Sequence, residues 1–270
     1  MELINVNQDK CIKCGICAEV CPSCILEMTT EGPMCNWDRG CMACGHCVAI
    51  CPTGALDNRR CPLHEQEAIT TPVLSNEDIY YFLRQRRSIR NFKPQKVAEE
   101  EIVKLFDIAR YAPTAGNSQG LYYIVVSDEN VIKKIADLTA EWMAEQIESD
   151  SLNSRYFKKI LHTYHERGID IIARKTPHLV FACARKLNTT GVSNCEQAWA
   201  YVELYAPTLG LGSTIAGFIQ ACGIANYEPL RELLNIPVKQ QIVGALMLGY
   251  PKYKYKRLVD RQHLKIEFHS

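Results

Sequence analysis

The sequence predicts an α+β protein in which a small cysteine-rich domain precedes a larger domain of mixed helices and strands. One cysteine motif occurs twice within the first fifty-two residues, which marks the small domain. From residue 76 onward, segments with helical periodicity alternate with short β-branched runs. At 270 residues and 47% hydrophobic content, the chain can bury one large core and one small core. We therefore expect domains at 1–58 and 76–270, joined by a linker at 59–75.

The repeated motif has the form C-x2-C-x2-C-x3-C-P. Its copies comprise Cys11, Cys14, Cys17, Cys21 and Pro22, and then Cys41, Cys44, Cys47, Cys51 and Pro52. A 4Fe–4S cluster needs four convergent thiolates, and in two-cluster proteins the fourth comes from the other repeat. One cluster is therefore expected on Cys11, Cys14, Cys17 and Cys51, and a second on Cys41, Cys44, Cys47 and Cys21. Residues 1–58 resemble the bacterial two-cluster ferredoxins, which implies a small ferredoxin-like domain that transfers single electrons.

Structural zinc is the alternative for these cysteines, because paired C-x2-C units also form four-thiolate zinc sites. Zinc pairs are usually separated by a ribbon or finger, without a third cysteine three residues on and a Cys-Pro behind it. Eleven of the 14 cysteines precede residue 62, in the spacing of cluster ligands and not of a secreted disulfide framework. A reducing cytoplasm is the expected location. Cys24, Cys35 and Cys61 are left over and are expected to be packed or partly exposed free thiols.

The charge balance excludes several classes of partner. The chain has 31 basic and 30 acidic residues, a formal net charge of +1, which gives no support to nucleic-acid binding or to a membrane-surface role. No signal peptide and no apolar run of membrane-spanning length is visible. We expect neither a nucleic-acid partner nor a membrane.

The elements follow from periodicity and turn residues. In the small domain, residues 2–6 and 25–34 are predicted strands, with a turn at Glu31-Gly32-Pro33. In the larger domain, Asn76 is predicted to cap a helix that ends near Arg87. Further helices are expected at 99–110, 131–147, 156–174, 195–209 and 229–234. Extended segments are expected at 122–126, 179–184, 213–218 and 241–248.

A basic cluster follows the first of these helices. Arg86-Arg87-Ser88-Ile89-Arg90 places three guanidinium groups and a hydroxyl within five residues. Arginine offers a fixed fork of donors that matches phosphate oxygens, so the cluster suits a phosphate ester. The alternative is a solvated basic face, because charge runs are usually exposed.

Three later stretches favour the phosphate interpretation. They are A-P-T-A-G-N-S-Q at 112–119, G-L-G-S-T-I-A-G-F at 210–218, and G-Y-P at 249–251 followed by Lys254, Lys256 and Arg257. Together with R-R-S-x-R, these four stretches resemble the nitroreductase family of flavoproteins in the family's order, over about residues 76–262. No G-x-G-x-x-G motif follows a strand, which argues mildly against a separate nicotinamide-binding module.

The resemblance implies a larger nitroreductase-like α+β domain that forms a homodimer and holds FMN at the subunit interface. Arg86, Arg87, Ser88 and Arg90 would hold the phosphate and nearby ring oxygens, helped by Lys256 and Arg257. Pro113, Thr114, Ala115 and Asn117 would come from the partner subunit, and Ile215, Ala216 and Gly217 would lie along the isoalloxazine. No side chain is assigned a catalytic role, because the flavin carries the chemistry. This holds also for the possible substrate-side groups Tyr156, His162, Tyr164 and His165.

The two modules together predict an FMN-dependent oxidoreductase. Electrons from a low-potential donor, such as a separate ferredoxin, would reach FMN through the clusters and reduce a nitroaromatic, a quinone or an activated alkene. Two rival functions remain: an NAD(P)H-dependent flavin reductase that exports electrons through the clusters, and a redox-sensing or electron-storage protein without turnover. Flavin destruction or cobalamin-related chemistry, seen among relatives, would need oxygen, which threatens the clusters.

Overall fold

The computed structural model describes residues 2–70, 74–149 and 153–269, which fall into two compact units. The first unit consists of Met1–Val73 with Ala115–Ser118, and the second of Leu74–Thr114 with Gln119–Ser270. Residues 71–73 of the expected linker lie outside the described residues, as do residues 150–152 between the helices predicted at 131–147 and 156–174. In the described parts of the chain, no helix combines the length and the apolar character that a membrane span needs.

The first unit is built from two short antiparallel strand pairs and two short helices. In chain order these are β1 (Ile4–Val6), α1 (Ile16–Glu19), β2 (Leu26–Thr29), β3 (Gly32–Cys35), α2 (His46–Ala49) and β4 (Leu56–Asn58). Strand β1 pairs with β4, and β2 pairs with β3. Each helix begins after a glycine in the left-handed region, Gly15 with φ 80° and Gly45 with φ 75°. A side chain at either position would strain the turn that follows two cysteines of each motif.

The second unit is helix-rich and contains one four-stranded sheet. Its elements are α3 (Asn76–Gln85), α4 (Glu99–Asp107), β5 (Tyr122–Val126), α5 (Glu129–Glu148), α6 (Ser154–His165), β6 (His178–Arg185), α7 (Gly191–Tyr205), β7 (Gly212–Ile215), α8 (Gly217–Ile224), α9 (Glu228–Leu233) and β8 (Gln240–Gly249). The strand order is β5-β6-β8-β7, and every neighbouring pair is antiparallel.

Both faces of this sheet are covered by apolar side chains. Alternate residues of β6 enter two different cores: Leu179 and Phe181 belong to one cluster, Val180 and Ala182 to the other. This alternation follows the two-residue period of a strand. The central strands are therefore buried on both sides, as a nearly continuous apolar run predicts.

The segment after α3 is held against the edge of the sheet. The Ile89 N–H donates to Ser213 O at 2.9 Å, and the Lys93 N–H donates to Tyr250 O at 2.8 Å. A methyl group on Gly212 would lie 2.6 Å from the Ile89 side chain, so only glycine permits this approach. The basic cluster at 86–90 therefore lies beside β7 and the end of β8.

The predicted elements agree with the structure except at several boundaries. The turn that joins β2 and β3 lies at residues 30–31 and not at 31–33, because β3 already begins at Gly32. Ser75, not Asn76, caps α3, through a hydrogen bond from the Asp78 N–H. The predicted helix 156–174 ends at His165, and Gly168 follows with φ 60°. The extended segment 213–218 ends at Ile215, and α8 then begins at Gly217.

Candidate cluster sites and candidate flavin site

Four cysteines line each of two separate pockets in the first unit. The first pocket is lined by Cys11, Cys14, Cys17 and Cys51, and the second by Cys21, Cys41, Cys44 and Cys47. Each pocket thus receives three thiols from one motif and the fourth from the other, as the crossed ligand sets require. Among the described residues, no group of three His, Cys, Asp or Glu side chains is arranged to hold a single metal ion. The four thiols that line each pocket match the ligand sets that the sequence predicts for two four-iron clusters.

Two of these thiols accept hydrogen bonds from backbone N–H groups. The Ala55 N–H lies 3.2 Å from Cys51 Sγ, and the Ala43 N–H lies 3.4 Å from Cys41 Sγ. Burial alone would raise the pKa of Cys51, but backbone N–H donors outweigh it and lower that pKa. Cys47 is the most deeply buried ligand, and burial raises its pKa to about 11. A cluster in the second pocket would have to supply the positive charge that keeps this thiolate deprotonated.

The three remaining cysteines of the first unit lie outside both pockets. Cys24 is exposed, whereas Cys35 and Cys61 are half-buried and burial raises the pKa of each thiol. The Gly45 N–H donates to Cys61, which lies beside Cys41 and Cys44. Sequence reasoning did not predict this proximity of Cys61 to the second motif.

A basic cavity in the second unit collects part of the predicted phosphate site. This cavity of about 460 Å³ is lined by Arg87, Lys256 and Arg257, together with Ser213 and Glu203. The Arg87 guanidinium lies over the Tyr255 ring, 4.9 Å from its centroid. Lys254 also lines the cavity, which therefore combines four cations, a hydroxyl and the backbone of Gly212, a donor set that fits the phosphate of FMN.

The other polar residues of the R-R-S-x-R motif, Arg86, Ser88 and Arg90, do not line this cavity. Arg86 Nη1 is 3.7 Å from Glu203 Oε1 and 3.4 Å from Ser88 Oγ. Arg90 donates to Ser88 O at 3.4 Å. Burial raises the pKa of Glu203, and the nearby Arg86 and Arg90 partly offset that shift. In the described chain, Arg86 is thus held by a carboxylate that sequence reasoning missed.

Arg174 is a second basic residue that sequence reasoning missed. It is partly buried, and its pKa is lowered by burial and by the charge of Arg90. Its backbone is left-handed, with φ 55°, at the place where a continuous helix was predicted. No sequence pattern marks this position, since Arg174 was predicted only as the last residue of a helix.

The loop at 113–119 is ordered by its own polar groups. The Gln119 N–H donates to Thr114 Oγ1 at 3.1 Å. Within the first unit, the Asn117 side-chain amide donates to Met42 O and Ala43 O, each at 3.0 Å. The cavity lining contains none of the four predicted loop residues, Pro113, Thr114, Ala115 and Asn117. Their contact with a flavin stays a prediction.

The third predicted group lies where β7 passes into α8. Ile215 is 42% exposed, whereas the Ala216 side chain is fully buried and its N–H donates to Ala245 O. A methyl group on Gly217 would meet nothing within 4 Å. The open face here is therefore formed by Ile215 and Gly217, at a helix start whose first N–H groups have no intrahelical acceptor.

A further cavity of about 600 Å³ lies near the N-terminal half of α5 and contains Tyr164 and His165. The Tyr164 hydroxyl donates to Asp137 Oδ1 at 2.7 Å, which gives this tyrosine a structural partner. His178 follows Pro177, which lines the cavity, and its Nε2 accepts from the Val97 N–H at 2.8 Å. Because that nitrogen accepts, the imidazole is neutral, and Nδ1 donates to Ser127 Oγ at 2.7 Å.

Comparisons with known proteins match these two parts of the chain. The model of the Nitroreductase family matches residues 83–250, and that of the 4Fe-4S binding domain matches residues 4–23. The chain belongs to the nitroreductase family. It also carries a ferredoxin-type iron–sulfur motif. The family and the α+β fold class predicted from the sequence are confirmed.

Two relatives show how far the similarity extends. The candidate NADH dehydrogenase/NAD(P)H nitroreductase of Archaeoglobus fulgidus is 28% identical over 65% of this chain and 87% of its own length. The FMN reductase [NAD(P)H] of Bacillus subtilis is 26% identical over 63% of this chain and 64% of its own length. These homologues support an oxidoreductase.

Solved structures share the fold. The nitroreductase with bound FMN from Bacteroides fragilis has a TM-score of 0.58 at 16% identity, covering 72% of this chain and 100% of its own. The corresponding FMN-bound nitroreductase from Desulfitobacterium hafniense has a TM-score of 0.55 at 18% identity, with the same coverages of 72% and 100%. Identities this low establish the fold and nothing finer.

Proposed function

We propose that this protein is an electron-transfer flavoenzyme that takes electrons from a low-potential one-electron donor and reduces a small organic acceptor. It would hold two 4Fe–4S clusters and one FMN per subunit, and a nitroaromatic, a quinone or an activated alkene would be the acceptor. When bound, the clusters pass single electrons and the FMN collects two of them. The observation that carries the proposal is the division of eight cysteines between two pockets, four to each, in a chain of the nitroreductase family.

The residues of the first unit would hold and insulate the clusters. Four thiols face each pocket, and backbone N–H groups from Ala43 and Ala55 reach ligand sulfurs. Apolar residues of the same unit, including Leu3, Leu26 and Leu56, pack around these loops. Such packing limits the access of water and oxygen to the sulfurs. We further propose that the protein works in a reducing cytoplasm, where such thiolates persist.

The residues of the basic cavity would bind FMN through its phosphate. Arg87, Lys256 and Arg257 provide charge-assisted donors, and Ser213 adds a hydroxyl. Arg86, Ser88 and Arg90 would reach oxygens at the edge of the same group. Ile215 and Gly217 would contact the ring from the start of α8, and Arg174 adds a cation beside Arg90. These roles remain proposals for each residue.

A homodimer is the second part of the proposal. Helix α3 buries no residue in the single chain, and it exposes four large apolar side chains: Ile79, Tyr80, Phe82 and Leu83. The C-terminal stretch also exposes apolar side chains, such as Phe268 at 88%. Exposed apolar surface of this extent marks interaction sites. A second copy of the chain would cover it and supply Pro113, Thr114, Ala115 and Asn117 to the flavin.

The names of the relatives support a second candidate function. Both the Archaeoglobus fulgidus and the Bacillus subtilis proteins are named for NAD(P)H. In that case NAD(P)H would reduce the flavin directly, and the clusters would carry electrons outward. Both functions use the cysteine-rich module, and the direction of electron flow through it distinguishes them.

Cofactor content and donor preference test the proposal. Protein purified anaerobically should contain eight irons and one FMN per chain, following from two four-iron clusters and one flavin site. Reduced ferredoxin should support acceptor reduction faster than NAD(P)H does. A Cys14→Ser, Cys44→Ser double variant should lose the ferredoxin-driven rate and keep its FMN. Zinc in place of iron, or equal ferredoxin-driven rates in the variant, would contradict the proposal.

A further inference from the structure

The two cysteine pockets differ at a position that the repeat makes directly comparable. Cys41 follows Cys11 by thirty residues, and Asn58 follows Met28 by the same spacing. Met28 lines the first pocket and Asn58 lines the second. A thioether, which cannot donate a hydrogen bond, therefore stands in one repeat where a carboxamide stands in the other.

Asn58 is held so that its amide nitrogen faces the ligand sulfurs. Its Nδ2 lies 3.7 Å from Cys41 Sγ and 3.9 Å from Cys47 Sγ. Its Oδ1 accepts from the Arg60 N–H at 3.0 Å, which fixes the oxygen on the side away from the thiols. The residue is 3% exposed and its backbone pairs with Ile4 across β1 and β4. Neither end of the amide can rotate without breaking one of these contacts.

We propose that Asn58 raises the reduction potential of the 4Fe–4S cluster in the second pocket by donating hydrogen bonds to the sulfurs of Cys41 and Cys47. The inference rests on the two-cluster part of the proposed function. When this cluster accepts one electron, the donor loses one electron and no atom is transferred. The added negative charge spreads onto the thiolates, so N–H donors stabilise the reduced state more than the oxidised state.

Both pockets also contain other hydrogen-bonding groups at ligand sulfurs: the Ala55 N–H and the Thr53 hydroxyl lie near Cys51 in the first, and the Ala43 N–H lies near Cys41 in the second. A cation lies near each pocket: Lys13 lines the first, and Arg60 Nη1 donates to Cys41 O at 2.7 Å beside the second. Burial of Cys47 opposes added charge and acts in the other direction. The effect of Asn58 is therefore measured as a shift between variants and not as the order of the two potentials.

The test is an anaerobic redox titration of the full-length holoprotein with dithionite, followed by electron paramagnetic resonance. Asn58→Leu keeps the approximate volume and removes the donor. We expect one cluster to become about tenfold harder to reduce, which for a one-electron couple corresponds to about 59 mV. Met28→Asn should make the other cluster easier to reduce, and Met28→Leu should shift neither. The inference is overturned if Asn58→Leu leaves both potentials unchanged, or if both donor variants shift the same cluster.

The outcomes separate this inference from the proposed function. A protein with iron for only one cluster would contradict the proposed function itself. If two clusters are present and their reduction potentials are the same in the parent and in Asn58→Leu, only the inference is contradicted. Should Asn58→Leu fail to fold, Met28→Asn decides, since this side chain is 39% exposed and its replacement leaves the core intact. A raised potential in that variant supports the donor mechanism, and an unshifted one overturns it.

Discussion

Replacing Arg87 by Gln should weaken FMN binding through the phosphate and leave the ring contacts intact. Arg87 is the one arginine of its motif that lines the described basic cavity, where it lies with Lys254, Lys256 and Arg257. A hydrogen bond to a charged group contributes about 1.5–3 kcal/mol. Arg87 is half-buried, so solvent screening favours the lower figure. Since about 1.4 kcal/mol corresponds to tenfold in affinity, we expect the Kd for FMN to rise about tenfold.

Flavin titration of the cluster-loaded apoflavoprotein, followed by fluorescence quenching, measures this change. Riboflavin lacks the phosphate, so its Kd should be the same in the variant and in the parent. The FMN-over-riboflavin preference should therefore fall about tenfold, which general unfolding would not produce. Arg185→Gln is the matched control, because Arg185 is exposed at the end of β6 and does not line the cavity. The reasoning is refuted if Arg87→Gln retains the FMN preference as the control does, or if its riboflavin binding weakens as much as its FMN binding.

The remaining predictions concern packing, protonation and cluster content. Gly212→Ala should lower the Tm, because the clash described above costs about 1–3 kcal/mol of overpacking. Gly217→Ala should leave the Tm unchanged but weaken FMN binding. Equal shifts of the Tm in the two variants would be evidence against this packing. Burial and a nearby lysine lower the pKa of His178, so its stabilising contribution is present above about pH 6.5 and falls as the pH drops below that value. Urea unfolding against pH should show this slope, and His178→Gln should flatten it; an unaltered slope would contradict the assignment. If each pocket holds one four-iron cluster, as proposed, Cys51→Ser should remove about half of the iron and Cys24→Ser should remove none; equal losses would argue against the assigned ligands.

The parts of the fold that follow local rules were predictable from the sequence. The strand predicted at 122–126 coincides with β5, because β-branched and aromatic residues favour the strand conformation. The cysteine spacing grouped the same eight residues that line the two pockets. Here the chemistry of four thiolates around one cluster restricts the geometry more strongly than periodicity does.

The parts that depend on tertiary contacts were not predictable. Helix α6 was extended to residue 174 because the apolar spacing continues, but Gly168 and the left-handed Arg174 end it. Helix α8 was missed because its residues are apolar on nearly all sides and resemble a buried extended run. Glu203 could have been suspected, since it is a carboxylate within a small-residue, largely apolar helix. Its contact with Arg86 depends on the fold and on no local pattern.

The central claim is that electrons enter through the clusters and leave through the flavin. Anaerobic stopped-flow mixing of the oxidised holoprotein with excess reduced ferredoxin tests it most directly, with the cluster and flavin absorbance followed separately. The account predicts that the cluster absorbance bleaches first and the flavin absorbance follows, and that NAD(P)H in place of ferredoxin bleaches neither at a comparable rate. Rapid bleaching of the flavin by NAD(P)H, ahead of the clusters, would contradict it.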